Sequence, residues 1–274
     1  MGTLFVIATP IGNLEDLSFR ARRVLGEVSL IAAEDTRHTA HLLRHYGIAT
    51  PTTSYFEHNK LTKLDAILAA LETGDVALVS DAGTPGLSDP GYELIRAAIA
   101  RGHPVVPVPG PSALTSALVV SGLPTDSFLY LGFLPRKSSE RRKLFAEVAN
   151  EKRTLVTFEA PHRLLDSLAD ARSELGDRPC AVARELTKVF EEVFRGTLSE
   201  AISHFTATPL RGEITVVIAG APEEAAVKWD EARVRAELAT LMDGGMDRKT
   251  AAKAVAERSG WGRREVYALE IKPR

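Results

Sequence analysis

The feature that most limits what this chain can fold into is an alternation. Apolar runs of four or five residues each end in a loop, most of them rich in glycine or proline, and each is followed by a helical pattern. Leu4-Phe5-Val6-Ile7-Ala8, Leu30-Ile31-Ala32-Ala33, Val76-Ala77-Leu78-Val79-Ser80 and Val105-Val106-Pro107-Val108 are apolar without a polar alternate. Strands buried on both faces read this way, which predicts a mostly parallel sheet covered by helices on both sides. Thr52–Tyr55 supplies one more strand. Helices are expected from Ser18 to Leu25, from a cap at Asp35 or Thr36 to Gly47, and across Leu64, Ile67, Leu68 and Leu71 to Gly74. Two more are expected, from Asp89-Pro90 to Gly102 and from Ser112 to Gly122.

Leu123-Pro124-Thr125-Asp126 reads as a hinge. Beyond it the pattern is richer in β structure: strands at 128–131, 154–158, 181–183, 192–194 and 214–219, with helices over 139–149 and 164–175. Ala221-Pro222-Glu223-Glu224-Ala225 has linker composition, and the rest is helical, divided at Gly244-Gly245 and Gly260. The expected organisation is an α/β domain over 1–122, a second α/β domain over 123–222, and a small all-helical domain over 228–274.

Composition narrows the functions. A single cysteine, Cys180, excludes an intrachain disulfide and a cysteine-based zinc site, and it suits a reducing compartment. The start of the chain runs directly into a strand pattern, and no apolar run is long enough to span a bilayer, so a cytoplasmic location is expected. The net charge of −2 is uneven: residues 228–274 hold 11 Lys/Arg against 8 Asp/Glu, a net of +3, which leaves −5 on the other 227. Arg136-Lys137-Ser138-Ser139-Glu140-Arg141-Arg142-Lys143 is a second basic cluster. Each cluster reads equally well as a solvated helix face or as a phosphate-binding surface.

The strongest chemical signal is Ser80-Asp81-Ala82-Gly83-Thr84-Pro85-Gly86-Leu87-Ser88-Asp89-Pro90-Gly91. Ligands of open α/β sheets lie beyond the carboxyl ends of strands. A loop of this length, with three glycines and two prolines, is shaped to meet one, whereas a plain turn needs only two to six residues. Thr9-Pro10-Ile11-Gly12-Asn13 and Pro109-Gly110-Pro111-Ser112 end two other strands of the same sheet. Neither a dinucleotide-binding Gly-x-Gly-x-x-Gly nor a P-loop is present, so a nicotinamide or nucleoside-triphosphate site is not supported.

With Thr9–Leu17, Ala33-Glu34-Asp35-Thr36-Arg37, Ser80–Pro85, Phe158-Glu159-Ala160-Pro161-His162-Arg163 and Glu185-Leu186-Thr187-Lys188 in order, the chain resembles the tetrapyrrole-methylase superfamily, and within it the ribosomal branch. The resemblance runs over essentially the whole chain. It implies the class III methyltransferase fold of two α/β domains, S-adenosylmethionine as cofactor between them, and a homodimer. It further implies a ribosomal RNA (cytidine-2′-O)-methyltransferase activity in the decoding region of 16S ribosomal RNA, with the small ribosomal subunit as partner. Matched residue by residue, the cofactor-binding positions are Pro10, Asp81, Thr84, Ser112, Ala113, Phe158, Leu186 and Glu213. Ala82-Gly83 departs from the Asp-Pro continuation of the small-molecule methylases. Two rival functions stay open, a small-molecule methylase acting on a tetrapyrrole and a non-catalytic RNA-binding or ribosome-assembly protein of the same fold.

Glu34, Asp35 and Arg37 end the second strand beside the expected cofactor loops, and more charge gathers there than a helix cap needs. With His58, after the third strand, they are the expected proton-handling residues, with Glu159, Glu185 and Lys188 next in line. His38, His41 and His45 share a helix face, but no third ligand type accompanies them and no metal is expected. In the C-terminal part, Trp229, Val234, Leu238, Leu241, Ala252, Val255 and Leu269 suit a small core in a helix-turn-helix-like module. Arg248, Lys249, Lys253, Arg258, Arg263 and Arg264, with Trp261 and Tyr267, suit phosphate contact and base stacking.

Overall fold

The structure is a computed structural model and describes residues 1–56, 60–207, 212–222 and 229–269. The chain groups into two compact units, Met1–Gly220 and Ala221–Arg274.

The first unit opens with the alternation expected from the sequence. Strands β1 (Leu4–Ile7), β2 (Leu30–Ala33), β3 (Thr52–Ser54), β4 (Val76–Val79) and β5 (Val105–Val108) are separated by helices α1 (Phe19–Glu27), α2 (Thr36–His45), α3 (Lys60–Thr73) and α4 (Tyr92–Ala100). The strands form an all-parallel sheet in the order β3-β2-β4-β1-β5. One apolar layer, including Ile7, Leu25, Ile31 and Leu43, covers one face, and Leu4, Ile67, Leu71, Leu78 and Leu94 cover the other. Burial on both faces is why β4 and most of β2 read as unbroken apolar runs, whereas the edge strands β3 and β5 are more open.

The order matters for function. β1 lies between β4 and β5, so the loops after these three strands leave the sheet side by side, at its topological switch point. A backbone bridge locks two of them together, with Thr9 N–H donating to Gly83 O at 2.8 Å and Gly83 N–H to Thr9 O at 3.0 Å.

Helix α5 (Ala113–Val120) follows β5 and packs Leu114, Ala117 and Leu118 on Val156, Ala181, Ala183 and Val217 of a second sheet. That sheet is mixed, in the order β6-β7-β10-β8-β9, from β6 (Phe128–Phe133), β7 (Thr154–Glu159), β8 (Pro179–Arg184), β9 (Glu192–Thr197) and β10 (Ile214–Ile218). Its other face is covered by α6 (Ser138–Glu147), α7 (Leu164–Leu175) and α8 (Leu198–Thr206) around Phe145, Leu168 and Phe205. Helix α8 is absent from the sequence reading. Its start is nonetheless written in Thr197-Leu198-Ser199-Glu200, a capping box in which the Thr197 side chain accepts from Glu200 N–H and Glu200 accepts from Thr197 N–H.

Among its described residues the second unit holds three helices, α9 (Glu231–Asp243), α10 (Arg248–Ser259) and α11 (Arg263–Ala268). Val234, Leu238, Ala251, Ala252, Val255 and Val266 form its buried core. No helix among the described residues is long and apolar enough to cross a membrane.

Candidate active site

Between the switch-point loops and the second sheet lies a cavity of about 380 Å³. That falls within the range of small-molecule sites. The loop after β4 supplies Asp81, Ala82, Gly83, Thr84, Leu87 and Asp89; the loop after β5 and the start of α5 supply Ser112, Ala113 and Leu114. Phe133, Phe158 and Glu159 come from the ends of β6 and β7, and Gly212, Glu213, Ile214 and Thr215 from the start of β10. The loop after β4 is tied to the second sheet by a 2.7 Å hydrogen bond between the Ser88 and Tyr130 hydroxyls. Phe158 is wedged between Tyr130 and Phe133, with ring centroids 5.3 and 5.4 Å away, so its position on the wall is fixed by packing.

The electrostatics are set by carboxylates. Glu34 Oε2 accepts the Asp81 N–H at 3.2 Å, and Asp81 Oδ1 accepts the Asp35 N–H at 3.0 Å, so the ends of β2 and β4 grip each other through acid side chains. Burial raises the Glu34 pKa, and the neighbouring Asp81 and Asp35 carboxylates add to the effect against the Asp81 N–H. Asp89 is pushed up to about 7, chiefly by burial and then by the charges of Glu34, Asp81 and Glu213, with a Ser80 hydrogen bond opposing. Among the described residues none of Glu34, Asp81 and Asp89 forms an ion pair. Three acids on an apolar wall without a paired cation suit a cationic ligand, because such a ligand relieves their mutual repulsion.

Asp89 is the residue the sequence reading missed. Asp89-Pro90 reads as the start of a helix, yet α4 starts at Tyr92, and its N-cap is Gly91 at φ 152°. The Asp89 carboxylate is thereby released from capping and faces the cavity. Phe133, Pro161 and Gly212 were also missed, since strand ends and turns far apart in sequence meet only through the sheet order.

The expected site residues separate into three groups. Asp81, Thr84, Ser112, Ala113, Phe158, Glu213 and Glu34 all line the cavity. Pro10 and Leu186 do not. Pro10 is buried and borders a separate shallow pocket with His38, His41 and Asp81, while its neighbour Ile11 faces the cavity. Leu186 packs with the apolar layer under α5. Asp35 and Arg37 also lie off the cavity wall and hold each other. Asp35 is the N-cap of α2, accepting Arg37 N–H at 2.8 Å, and Arg37 returns a two-pronged contact with Nε at 3.1 Å and a terminal nitrogen at 2.6 Å. Those hydrogen bonds hold the Asp35 carboxyl well below the usual carboxylate range, which makes it a poor base. His58 lies outside the described residues. Of the reserve candidates, Glu159 is buried and already accepts from Ala160 N–H, Arg163 and Ser167, and Lys188 Nζ is held by Glu185 at 2.9 Å.

The basic cluster at 136–143 is mostly spent on the fold. Arg141 is 2 % exposed and holds Asp170 together with the Pro135 and Arg136 carbonyls; Arg142 pairs with Glu174 at 2.7 Å, and Lys137 with Glu140 at 3.3 Å. The second unit divides its basic residues similarly. Arg248 donates to the Tyr267 and Leu269 carbonyls, Arg258 pairs with Glu237 at 2.8 Å, and the Trp261 indole donates to the Trp229 carbonyl at 2.6 Å. Trp261 therefore serves the core of the module, while Lys249, Arg263, Arg264 and half of Tyr267 are open to solvent.

This arrangement is an α/β fold with an acid-walled cavity at the switch point of a parallel sheet, against a second, mixed sheet. The chain belongs to the tetrapyrrole (corrin/porphyrin) methylases, whose family pattern matches residues 3–202, and it is a methyltransferase. It is 48 % identical over 274 residues to the ribosomal RNA small subunit methyltransferase I of Synechocystis sp., covering 99 % of this chain and 98 % of the relative. The protein of the same name from Thermotoga maritima is 51 % identical over 221 residues, covering 80 % of this chain and 99 % of its own length. Among solved structures, diphthine synthase matches with a TM-score of 0.60 at 14 % identity, covering 80 % of this chain and 90 % of that one, which shows the shared fold.

Proposed function

We propose that this protein transfers the methyl group of S-adenosylmethionine to the ribose 2′-hydroxyl of a cytidine in the decoding region of 16S ribosomal RNA. One observation carries the reading: 48 % identity, over nearly the full chain, to a ribosomal RNA small subunit methyltransferase coincides with an apolar, acid-walled cavity at the switch point. The donor set fits the cofactor. A sulfonium and an ammonium group are cations, and the wall offers Glu34, Asp81 and Asp89 with no competing ion pair among the described residues. Bound there, S-adenosylmethionine supplies an electrophilic methyl group on a positively charged sulfur. Thr84, Ser112, Ala113 and Glu213 would hold its polar parts, and Phe158 and Leu114 its apolar surface. A tetrapyrrole acceptor is not favoured, because the relatives that match nearly the whole chain are named for ribosomal RNA.

The chain's residues have three tasks in such a displacement. The apolar wall excludes water and aligns the reacting groups, worth a large share of the barrier for a two-reactant step. Asp81 would hold the cation, which leaves Asp89 and Glu34 for the proton. The hydroxyl proton needs an acceptor as it leaves, and a group with pKa near the working pH is best placed to take it. Asp89, at about 7, meets that condition, and Glu34 beside it shares the wall. We assign proton acceptance to these two in place of Asp35. The open cations of the second unit, Lys249, Arg263 and Arg264, are assigned to the RNA phosphates; a homodimer and a cytoplasmic location complete the proposal. Calorimetry with S-adenosylhomocysteine tests the site: one site per chain is expected, weakened at least tenfold by Asp81→Ala or Thr84→Trp with circular dichroism unchanged. Normal binding by both variants would place the cofactor elsewhere.

A further inference from the structure

Beside the cavity, the loop 185–191 between β8 and β9 presents two apolar side chains to solvent. Val189 is 93 % and Phe190 74 % exposed. Scattered apolar residues on a surface need no explanation, but this adjacent pair stands on a loop that is built and held. Within it, Lys188 N–H donates to Glu185 O at 3.0 Å, Glu191 N–H to Lys188 O at 3.1 Å, and Thr187 N–H to the Glu191 carboxylate at 2.6 Å. Glu185 and Thr187 both adopt positive φ, 50° and 67°, and for a β-branched residue that is a strained conformation which the surroundings must enforce. The Thr187 hydroxyl is buried without a hydrogen-bond partner, a further cost of holding this shape.

The enforcing contacts come from the cavity rim. Glu185 N–H donates to Glu213 O at 3.1 Å, and Glu213 lines the cavity. On the other side, a Cβ placed on Gly12 would lie 2.3 Å from Lys188 Cγ, so the loop after β1 presses directly on the Lys188 side chain, next to the cavity-lining Ile11. The loop is therefore fixed beside the part of the cavity rim that Glu213 and Ile11 form. Its chemistry is not that of a phosphate contact, because the Lys188 ammonium is taken up by Glu185 at 2.9 Å and Glu213 at 3.8 Å. What remains is an aliphatic and an aromatic face.

Resting on the proposed RNA-methylating function, we infer that Val189-Phe190 is a wedge on which an unpaired base of the RNA stacks, holding the acceptor nucleotide out over the cavity. Base stacking on an aromatic side chain tolerates any sequence and needs a ring rather than mere apolarity. The test is methylation kinetics on purified, unmodified bacterial small ribosomal subunits, using Phe190→Ala, Phe190→Leu and Phe190→Trp, with S-adenosylhomocysteine affinity and sedimentation measured alongside. Phe190→Ala and Phe190→Leu should lose about tenfold to a hundredfold in kcat/KM, the range that stacking supplies. Phe190→Trp should keep the parent's value, and all three should keep cofactor affinity and oligomeric state. Full activity in Phe190→Leu, or activity within twofold of the parent in Phe190→Ala, would overturn the wedge. A changed sedimentation coefficient would assign the tip to contact between copies of the chain and overturn it too. A parent that binds S-adenosylhomocysteine yet methylates no small subunits would instead refute the function on which the wedge rests.

Discussion

Replacing Asp89 by Asn isolates the carboxylate that the cavity holds most uncomfortably. Its pKa rises from 3.8 in the unfolded chain to about 7 in the folded protein. At about 1.4 kcal/mol per tenfold change, that is about 4 kcal/mol of folding free energy. Asp89 is only partly shielded, and solvent screening brings the expected effect to about 2 kcal/mol. The sign follows from the direction of the shift. The folded state binds the Asp89 proton more tightly, so its contribution to stability is intact below pH 4, declines as the pH rises, and is gone above pH 7. Asn keeps the shape and lacks the titration. Asp89→Asn should therefore gain on the parent as pH rises, by about 1 kcal/mol between pH 5 and pH 8, since about a third of the loss has already accrued at pH 5. Denaturant unfolding of parent and variant at the two pH values, followed by circular dichroism, reads this directly. A gap that is the same at pH 5 and pH 8 would mean that Asp89 carries an ordinary pKa, and the proton-acceptor assignment would fall with it.

Two other outcomes follow from backbone shape and from charge. Gly212→Ala places a Cβ 1.8 Å from Glu185 Oε1 at φ +80°, so stability should fall by at least about 1–2 kcal/mol, a drop in melting temperature of several degrees; an unchanged melting temperature would refute the reading. Ending the chain after Pro222 should leave cofactor affinity intact and raise KM for small subunits, with a shallower dependence of binding on salt, because phosphate contacts made by residues 228–274 are lost. The shorter Thermotoga relative carries the same name, so turnover at saturating substrate should survive; an unchanged KM and salt slope would make the second unit a purely structural module.

How much of this was legible in the sequence depends on which forces set each feature. The parallel sheet was readable because double-sided burial leaves unbroken apolar runs, as in Val76–Val79. The core of the helical module, Val234, Leu238, Ala252 and Val255, was readable from its period. Asp81, Thr84, Ser112 and Phe158, which the switch-point loops and the motif order mark, line the cavity. What the sequence hid was the partner of each charge. Glu34-Asp35-Thr36-Arg37 looks like a catalytic cluster, yet Asp35 and Arg37 satisfy one another at the start of α2, and only Glu34 turns to the cavity. Arg141 looks like a phosphate ligand and is a buried ion-pair partner of Asp170. Asp89 looks like a helix cap and is not one, since α4 begins two residues beyond Pro90. Propensity describes one residue and its neighbours in sequence. Pairing and pKa depend on what the fold brings from elsewhere.

On this mechanism the cavity delivers a methyl group to a ribose of small-subunit RNA. Incubating the protein with tritiated S-adenosylmethionine and unmodified small subunits, followed by alkaline hydrolysis of the RNA, tests it most directly. Alkali cleaves RNA through attack by the 2′-hydroxyl, so a methylated ribose protects the bond on its 3′ side. The label should appear in a single alkali-stable dinucleotide that begins with cytidine and maps to the decoding region of 16S RNA. Label in mononucleotides, which marks a methylated base, or no transfer to RNA at all, would refute ribose methylation by this protein.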